Sequence, residues 1–319
     1  MGFTNSKTMT VNKRLKFAIY AEVGVGKTML ALQFPNLAVL DYERGTAPYV
    51  GKYDFDVEFV STADQAEKAV RDLARDPGGH TALLIDPISK YCTAVGERRR
   101  LVRIKETGNP EYELDFRNDF GIIKRDISNF VTDLLKLDMN IIVTARRKPI
   151  YAKTGFMNEI GCKPDMHVLI GEIFDTIIYA EVDTEGRRIA YTSNASYEGG
   201  EIVAKDRYDL PAAFELSYDN LINGLGEVSV DHTSAAPVDL STAPMPEPQA
   251  DRDFETSLDD ELIMTAGITG AQIESIRQKV GNDKIRQNQF ASHIKSKYGV
   301  ANMFDLRSDE AELILSSFK

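Results

Sequence analysis

The sequence predicts an α/β fold: a mostly parallel sheet with helices on both faces, an antiparallel extension of that sheet, and a small helical module at the C-terminus. Three observations carry this reading. Between Phe17 and Ala145, short apolar runs that end in an acid or a polar residue alternate with helical stretches, as in sheets built from strand–helix–strand units. From Thr176 the helices give way to three consecutive strand-like runs, Thr176 to Val182, Arg188 to Thr192 and Glu201 to Lys205, with a turn around Gly186. Finally, Glu227 to Phe254 is poor in large apolar residues and holds four of the twelve prolines, so it reads as a flexible linker. The expected division is a core at 1–226, a linker at 227–254 and a helical module at 255–319.

Taken in order, residues 1 to 13 form a polar lead-in, and Phe17 to Tyr20 make an apolar strand. A loop of small residues follows, Ala21-Glu22-Val23-Gly24-Val25-Gly26-Lys27-Thr28, and then a short helical pattern from Met29 to Gln33 that Pro35 stops. Leu37 to Asp41 is a second buried strand, and Val57 to Val60 a third. Ala63 to Arg75 is helical, closed by Pro77-Gly78-Gly79. Thr81 to Asp86 is apolar and ends in an acid. Asp119 to Leu137 is an amphipathic helix with Phe120, Ile123, Ile127, Phe130 and Leu134 on one face. Asn140 to Ala145 is another buried strand. In the C-terminal module Ser257, Thr269 and Ser308 are expected N-caps, Thr269 with Gln272 a capping box, and Gly267, Gly281 and Gly299 helix stops.

The first loop carries the chemistry. Strand, small-residue loop, Gly-Lys-Thr and helix make a phosphate-binding loop. Gly24 and Gly26 let backbone N–H groups turn toward phosphate oxygens, and the helix adds its positive end. Lys27 is expected to reach the β- and γ-phosphates and Thr28 to place its hydroxyl on Mg²⁺. Ala21 stands where glycine is usual, and as the smallest replacement it is read as tolerated. Asp86, at the end of a central strand, is the candidate second metal holder, an ordinary strand-capping acid being the bland reading. Glu43, after the second strand, is the candidate base that orients an attacking water, with Asp41 its competitor. Thr144 and Arg146 end the next strand, where a polar side chain would sense the γ-phosphate. Arg146 to Cys162 reads as a loop that is either solvated or faces DNA.

The remaining charges are less specific. The run Arg98-Arg99-Arg100 with Arg103 and Lys105 falls in a long connection and reads either as a contact for a phosphate backbone or as a solvated face. Lys205 and Arg207, two apart on an extended segment, point the same way and are placed to reach a neighbouring subunit's nucleotide. A net charge of −11 excludes a generally basic nucleic-acid coat. Cys92 and Cys162 lack metal spacing and suggest a reducing compartment. The four histidines are scattered and suggest neither metal site nor dyad. The expected location is the cytoplasm, with no membrane partner. The N-terminal acylation pattern MGFTNS is read as chance.

In this order the pieces resemble the RecA-like phosphate-loop ATPase core. LDYERG is similar to the segment of the catalytic glutamate in RecA, LLIDPIS to the metal-binding strand, and IIVTARRK to the γ-phosphate-sensing strand. AKDR resembles the paired Lys/Arg finger of RadA- and DnaB-type rings. The resemblance is greatest to the Sak-type single-strand annealing recombinases of bacteriophages and covers about residues 14 to 222. It implies ATP and Mg²⁺ as ligands, Lys27, Glu43, Asp86, Lys205 and Arg207 as catalytic residues, and residues 21–28 with Thr144 around the nucleotide. It further implies a homo-oligomeric ring or filament that pairs or anneals single-stranded DNA, and a partner such as a single-strand-binding or other recombination protein for the C-terminal module. Two rivals stand beside it: a helicase-like motor or helicase loader on the same fold, and an ATP-locked oligomeric scaffold without DNA activity.

Overall fold

The computed structural model describes residues 14–115, 117–152, 159–193, 200–225 and 230–240, with positions 275, 276, 278–280, 289, 290, 292–295 and 314. These fall into two compact units. The first takes the described residues up to Leu101, Lys124–Pro149 and those from Gly161 to 240. The second takes Val102–Ile123, the described positions of 150–160, and those beyond 274.

The first unit is built on one sheet. Its parallel part comprises β1 (Lys16–Ala21), β2 (Leu37–Asp41), β3 (Phe55–Phe59), β4 (Ala82–Asp86), β5 (Asn140–Tyr151) and β7 (Thr176–Val182). They lie in the order β7-β1-β5-β4-β2-β3. β1, β2 and β4 are buried along their whole length, which explains why they read as unbroken apolar runs rather than alternating ones. Parallel register aligns their C-terminal ends: Ala21 pairs with Arg146 and Asp41 with Asp86. The antiparallel extension is β8 (Arg188–Tyr191) against β7 and β11 (Ala213–Glu215) against β8. An α/β phosphate-loop NTPase core is therefore the fold, as the alternating pattern predicted.

Helices cover the sheet. α1 (Lys27–Ala31) follows β1, and its Leu30 and Ala31 pack with Phe17, Ile19, Ile178 and Ala190 in one apolar cluster. α2 (Ala63–Arg75) has the predicted bounds and opens on a full capping box between Thr62 and Gln65. α3 (Ile88–Thr107) occupies what the sequence presented as a long connection. Its apolar side is short, with Ile88, Tyr91 and Val95 buried and the rest mostly charged, so the helical period was hard to see. α4 (Phe120–Lys136) supplies Phe130, whose ring stacks on Tyr91 at 4.0 Å.

The basic run on α3 is largely neutralised within the chain. Arg98 reaches Asp64 at 2.6 Å, Glu67 at 2.9 Å and Asp126 at 2.9 Å, tying α3 to α2 and α4. Arg100 pairs with Glu97. In the second unit, Arg103 lies 2.9 Å from Glu106 and 3.5 Å from the buried Asp119, which also accepts from the Tyr112 hydroxyl. These three arginines fit the reading of a solvated face better than that of a DNA contact. Also in the second unit, Ile276, Val280, Phe290, Ile294 and Ile314 are buried. The expected caps at 257, 269 and 308 and stops at 267, 281 and 299 lie outside the described residues.

Four further differences concern strands, helices and the linker. Glu201 to Lys205 is not one strand: β9 (Glu201–Ile202) runs parallel to β6 (Glu159–Pro164), and β10 (Lys205–Asp206) returns antiparallel to β7. The stretch read as a loop after Ala145 continues as β5 and returns as β6, with 153–158 outside the described residues. Beyond Val168, α5 (Val168–Ile173) and α6 (Tyr218–Gly224) were not anticipated. Finally, residues 230–240, inside the proline-rich linker, lie on the core as a strap. Val230 is buried, Arg14 and Asn140 donate to the Asp231 carbonyl, Ala235 donates to His80 and Val238 to Ala74. The backbone hydrogen-bonds here without forming strands, which composition does not reveal.

Lys16, at the start of β1, is buried, with its ammonium donating to the Met139 carbonyl at 2.9 Å. Burial pushes its pKa down from 10.5 to about 8, with Asp175 opposing. Below pH 8 the folded state carries the full cost of the buried charge. Between pH 8 and 10.5 it sheds the proton that the unfolded chain still holds, so this residue's contribution to stability rises with pH, by about 3 kcal/mol at most. We expect the difference in unfolding free energy between wild type and Lys16→Met, from denaturant titrations, to shift in favour of wild type across that window. A difference that is flat with pH would show that Lys16 titrates normally.

Candidate nucleotide-binding site

The site lies at the C-terminal ends of the parallel strands, where loops leave an open α/β sheet. After β1 the chain turns through Gly24 (φ 87°) and Gly26 (φ 109°), conformations that side chains rarely adopt, and Gly26 serves as the N-cap of α1. Val23 is exposed at the tip. Ala21 is the last residue of β1. It is fully buried, its methyl lies in the apolar cluster, and its φ is not positive. No glycine is needed there, which accounts for the one departure from the usual motif. Lys27 donates to the carbonyls of Ala21 (3.0 Å) and Glu22 (2.8 Å), so its ammonium is folded back over the loop. Burial lowers its pKa, while Asp86 and Glu22 act in the other direction.

β5 lies between β1 and β4, so Asp86 does not border the loop strand directly. The Thr28 hydroxyl bridges the gap, donating to Asp86 Oδ2 at 2.7 Å. The Thr144 hydroxyl, from β5, donates to Asp86 Oδ1. Asp86 is 7% exposed. Burial raises its carboxyl pKa against the lowering effect of these two hydroxyls and of Lys27, while Asp41 adds to the rise. Thr28, Asp86 and Thr144 are thus brought together, with Thr144 touching the acid itself.

The two acids after β2 do different things. Asp41 is 1% exposed. Its Oδ1 accepts from the backbone N–H groups of Glu43 (3.0 Å) and Gly45 (3.1 Å), and its Oδ2 from the Thr46 N–H (2.9 Å) and hydroxyl (2.6 Å). Such a carboxylate organises a loop and has no room for a water. Glu43 is held out at the mouth, one-third exposed, between Arg146 and Lys90 (3.3 Å). Its partial burial would raise its pKa, but the ion pairs with Arg146 and Lys90 outweigh this and hold it below the usual carboxylate range. Lys90 was missed in the sequence because it sits on α3, the helix that the pattern did not show. Arg147 pairs with Glu22 at 3.6 Å.

Lys205 and Arg207 do not join this cluster. β10 pairs with the start of β7, Lys205 opposite Ile177, whereas the loop leaves from the level of Ala180. Three residues of strand, about 10 Å, separate those levels. Lys205 donates to the Glu172 carbonyl and Arg207 pairs with Asp175 at 3.1 Å. The two residues sit at the other end of the sheet from their own phosphate loop.

The donor set fits Mg²⁺ held jointly with phosphates. That ion keeps most of its water and takes few protein ligands, and here a hydroxyl and a carboxylate converge beside a loop shaped for phosphate. Among the described residues no group of three or more His, Cys, Asp or Glu side chains is arranged to hold a metal alone. None of the described helices is long and apolar enough to cross a membrane. A family model described as an AAA domain matches residues 13–208, well over half of the chain, and the chain belongs to that family of ATPase-type proteins. No curated protein matches it.

The division of labour between the two acids is testable. Asp41→Asn loses acceptor capacity toward four donors and should lower unfolding stability by about 1–3 kcal/mol, read as a drop in Tm. Glu43→Gln should leave Tm nearly unchanged while slowing ATP hydrolysis by 100-fold or so. Equal Tm values with hydrolysis lost only in Asp41→Asn would reverse the assignment.

Proposed function

We propose that this AAA-domain chain is a Mg²⁺-dependent ATPase that acts on single-stranded DNA, annealing or pairing strands in the manner of the phage Sak-type recombinases it resembles. The observation that carries the ATPase part is the convergence of Lys27, Thr28, Asp86, Thr144 and Glu43 at one end of the sheet. Thr28 and Asp86 would hold Mg²⁺, which when bound offsets the charge of the phosphate oxygens. Lys27 exchanges its two loop carbonyls for phosphate oxygens. Thr144 fixes the rotamer of Asp86. Glu43, the exposed acid at the mouth, takes the proton of the attacking water. Release from Arg146 and Lys90 raises its basicity at the moment it is used.

The proposed oligomer is supported by the position of Lys205 and Arg207. Two cations at the far end of the sheet have no reach to their own loop but would face the loop of a neighbour stacked end to end in a ring or filament. There they stabilise the charge that grows on the transferring phosphoryl group. The DNA assignment rests on the resemblance of LDYERG, LLIDPIS, IIVTARRK and AKDR. The C-terminal module is the proposed contact for a second recombination protein.

The test combines turnover with assembly. ATPase rate is measured with and without single-stranded DNA over a salt series, alongside native mass, for wild type, Lys27→Ala, Arg207→Ala and an equimolar mixture of the two variants. Stimulation by DNA that falls with salt, inactive single variants and recovered activity in the mixture are expected. Full activity of Arg207→Ala alone would remove the shared site. Duplex unwinding coupled to turnover would move the reading to a motor, and ATP-stabilised oligomers without DNA binding would move it to a scaffold.

A further inference from the structure

Arg188 is a cation that the site above does not use. It opens β8, which pairs antiparallel with β7 so that Arg188 lies opposite Val182 and Ala190 opposite Ala180. Ala180 in turn is level with Ala21, the last residue before the phosphate loop. Arg188 therefore stands two residues beyond the end of β1, roughly 7 Å further along the strand direction, at the level of the loop. Ala190 belongs to the apolar cluster that α1 covers, and alternation puts Arg188 on that same face.

The glycine contacts locate the side chain. A Cβ built on Gly26 would meet Arg188 Cδ at 3.3 Å and Nε at 3.4 Å, with Met29 Cε at 3.6 Å. The arginine thus lies against Gly26, a loop residue with no side chain to push it away, immediately before Lys27. Arg188 is exposed. Among the described residues its side chain has neither a hydrogen-bond nor an ion-pair partner, while its backbone carbonyl accepts from the Leu216 N–H at 2.7 Å. Its neighbour Arg187 differs: its guanidinium is fastened to Asp183 (2.8 Å) and Glu185 (3.1 Å) in the β7–β8 turn.

We infer that Arg188 is a phosphate-binding residue acting within its own subunit: it closes over the loop and contacts the phosphate chain of the nucleotide docked on residues Gly26 to Thr28. This rests on the reading of the loop as a nucleotide site. Asp86, Glu43, Glu22 and Arg146 act on Lys27; Arg146 and Lys90 are engaged with Glu43 and Arg147 with Glu22, so Arg188 adds a cation not engaged by an acid for the incoming phosphates. A guanidinium also presents several donors in a plane to phosphate oxygens. Because Gly26 lies where the phosphates shared by ADP and ATP dock, Arg188 serves both nucleotides. In this it differs from a γ-phosphate sensor and from a finger supplied by a neighbour.

The experiment is calorimetric titration of ADP and ATP into wild type, Arg188→Ala, Arg188→Lys, Arg187→Ala and Lys27→Ala, with steady-state ATPase kinetics on the first four. For Arg188→Ala we expect Kd for both nucleotides to rise about tenfold, the order of one charge-assisted hydrogen bond. KM should rise with it and kcat at saturation should stay within about twofold. Arg188→Lys should recover part of the affinity, and Arg187→Ala should match wild type. Unchanged Kd in Arg188→Ala, with wild-type binding that requires Lys27, overturns the inference and leaves the nucleotide site standing. An equal loss in Arg187→Ala also overturns it, because the effect is then general surface charge. A loss for ATP alone overturns it in favour of a γ-phosphate contact. Absence of nucleotide binding in wild type itself removes the underlying reading instead.

Discussion

The Asp86 carboxylate is the point on which the site depends. It ends β4, it is nearly buried, and its two oxygens are held by hydroxyls from two other segments, Thr28 at the start of α1 and Thr144 within β5. A buried carboxylate without such partners would protonate or destabilise the fold. With them it becomes a tie between three elements that meet only because parallel register aligns their C-terminal ends. The insertion of β5 between β1 and β4 is what makes the tie necessary. It moves the acid one strand away from the loop and puts a threonine in the gap.

Charge is arranged around that tie in layers. Asp41 is consumed by the backbone of its own loop, and this rigid loop presents Glu43 at a fixed place. Glu43 is balanced by Arg146 and Lys90, Glu22 by Arg147, and Lys27 rests on carbonyl oxygens. The Arg146 and Lys90 pairs with Glu43 are half exposed and contribute less than about 1 kcal/mol each, whereas Lys27 and Arg147 are more buried. The buried links, those of Asp86 and Asp41, hold the frame. The exposed ones are free to rearrange around an incoming anion.

Much of this was legible in the sequence because the informative residues lie at strand ends. Buried parallel strands appear as apolar runs, and the polar residues at or near the ends of those runs, Asp41, Asp86 and Thr144, lie at the site. The same logic explains what was not legible. α3 carries Lys90, but its buried side is only about three residues among many charged ones, so its period does not stand out. Asp41 stood as a competitor to Glu43 because the distinction is one of hydrogen-bond capacity, visible only when the Thr46 and Gly45 N–H groups are placed. β9 and β10 looked like one strand because both are short and extended. Their division follows from pairing with different partners, β6 and β7, a long-range property. The strap at 230–240 was hidden for a related reason. Its hydrogen bonds go to His80, Ala74 and Asp138, and a proline-rich segment that is fixed has the same composition as one that is free.

The placement of the remaining cations gives the sheet a polarity. Arg188 lies at the end where the phosphate loop emerges, against Gly26. Lys205 and Arg207 lie at the opposite end, beside Asp175 and Glu172. The antiparallel extension produces both positions: β8 runs back from the loop end, starting with an arginine there, and β10 pairs with the first residues of β7. A chain with cations only at the loop end would hold nucleotide equally well alone. In the proposed assembly, a second set at the far end would meet the loop of the next copy. On this argument the extension that departs from the regular parallel pattern is the part of the fold that joins nucleotide binding within one subunit to the proposed assembly between subunits.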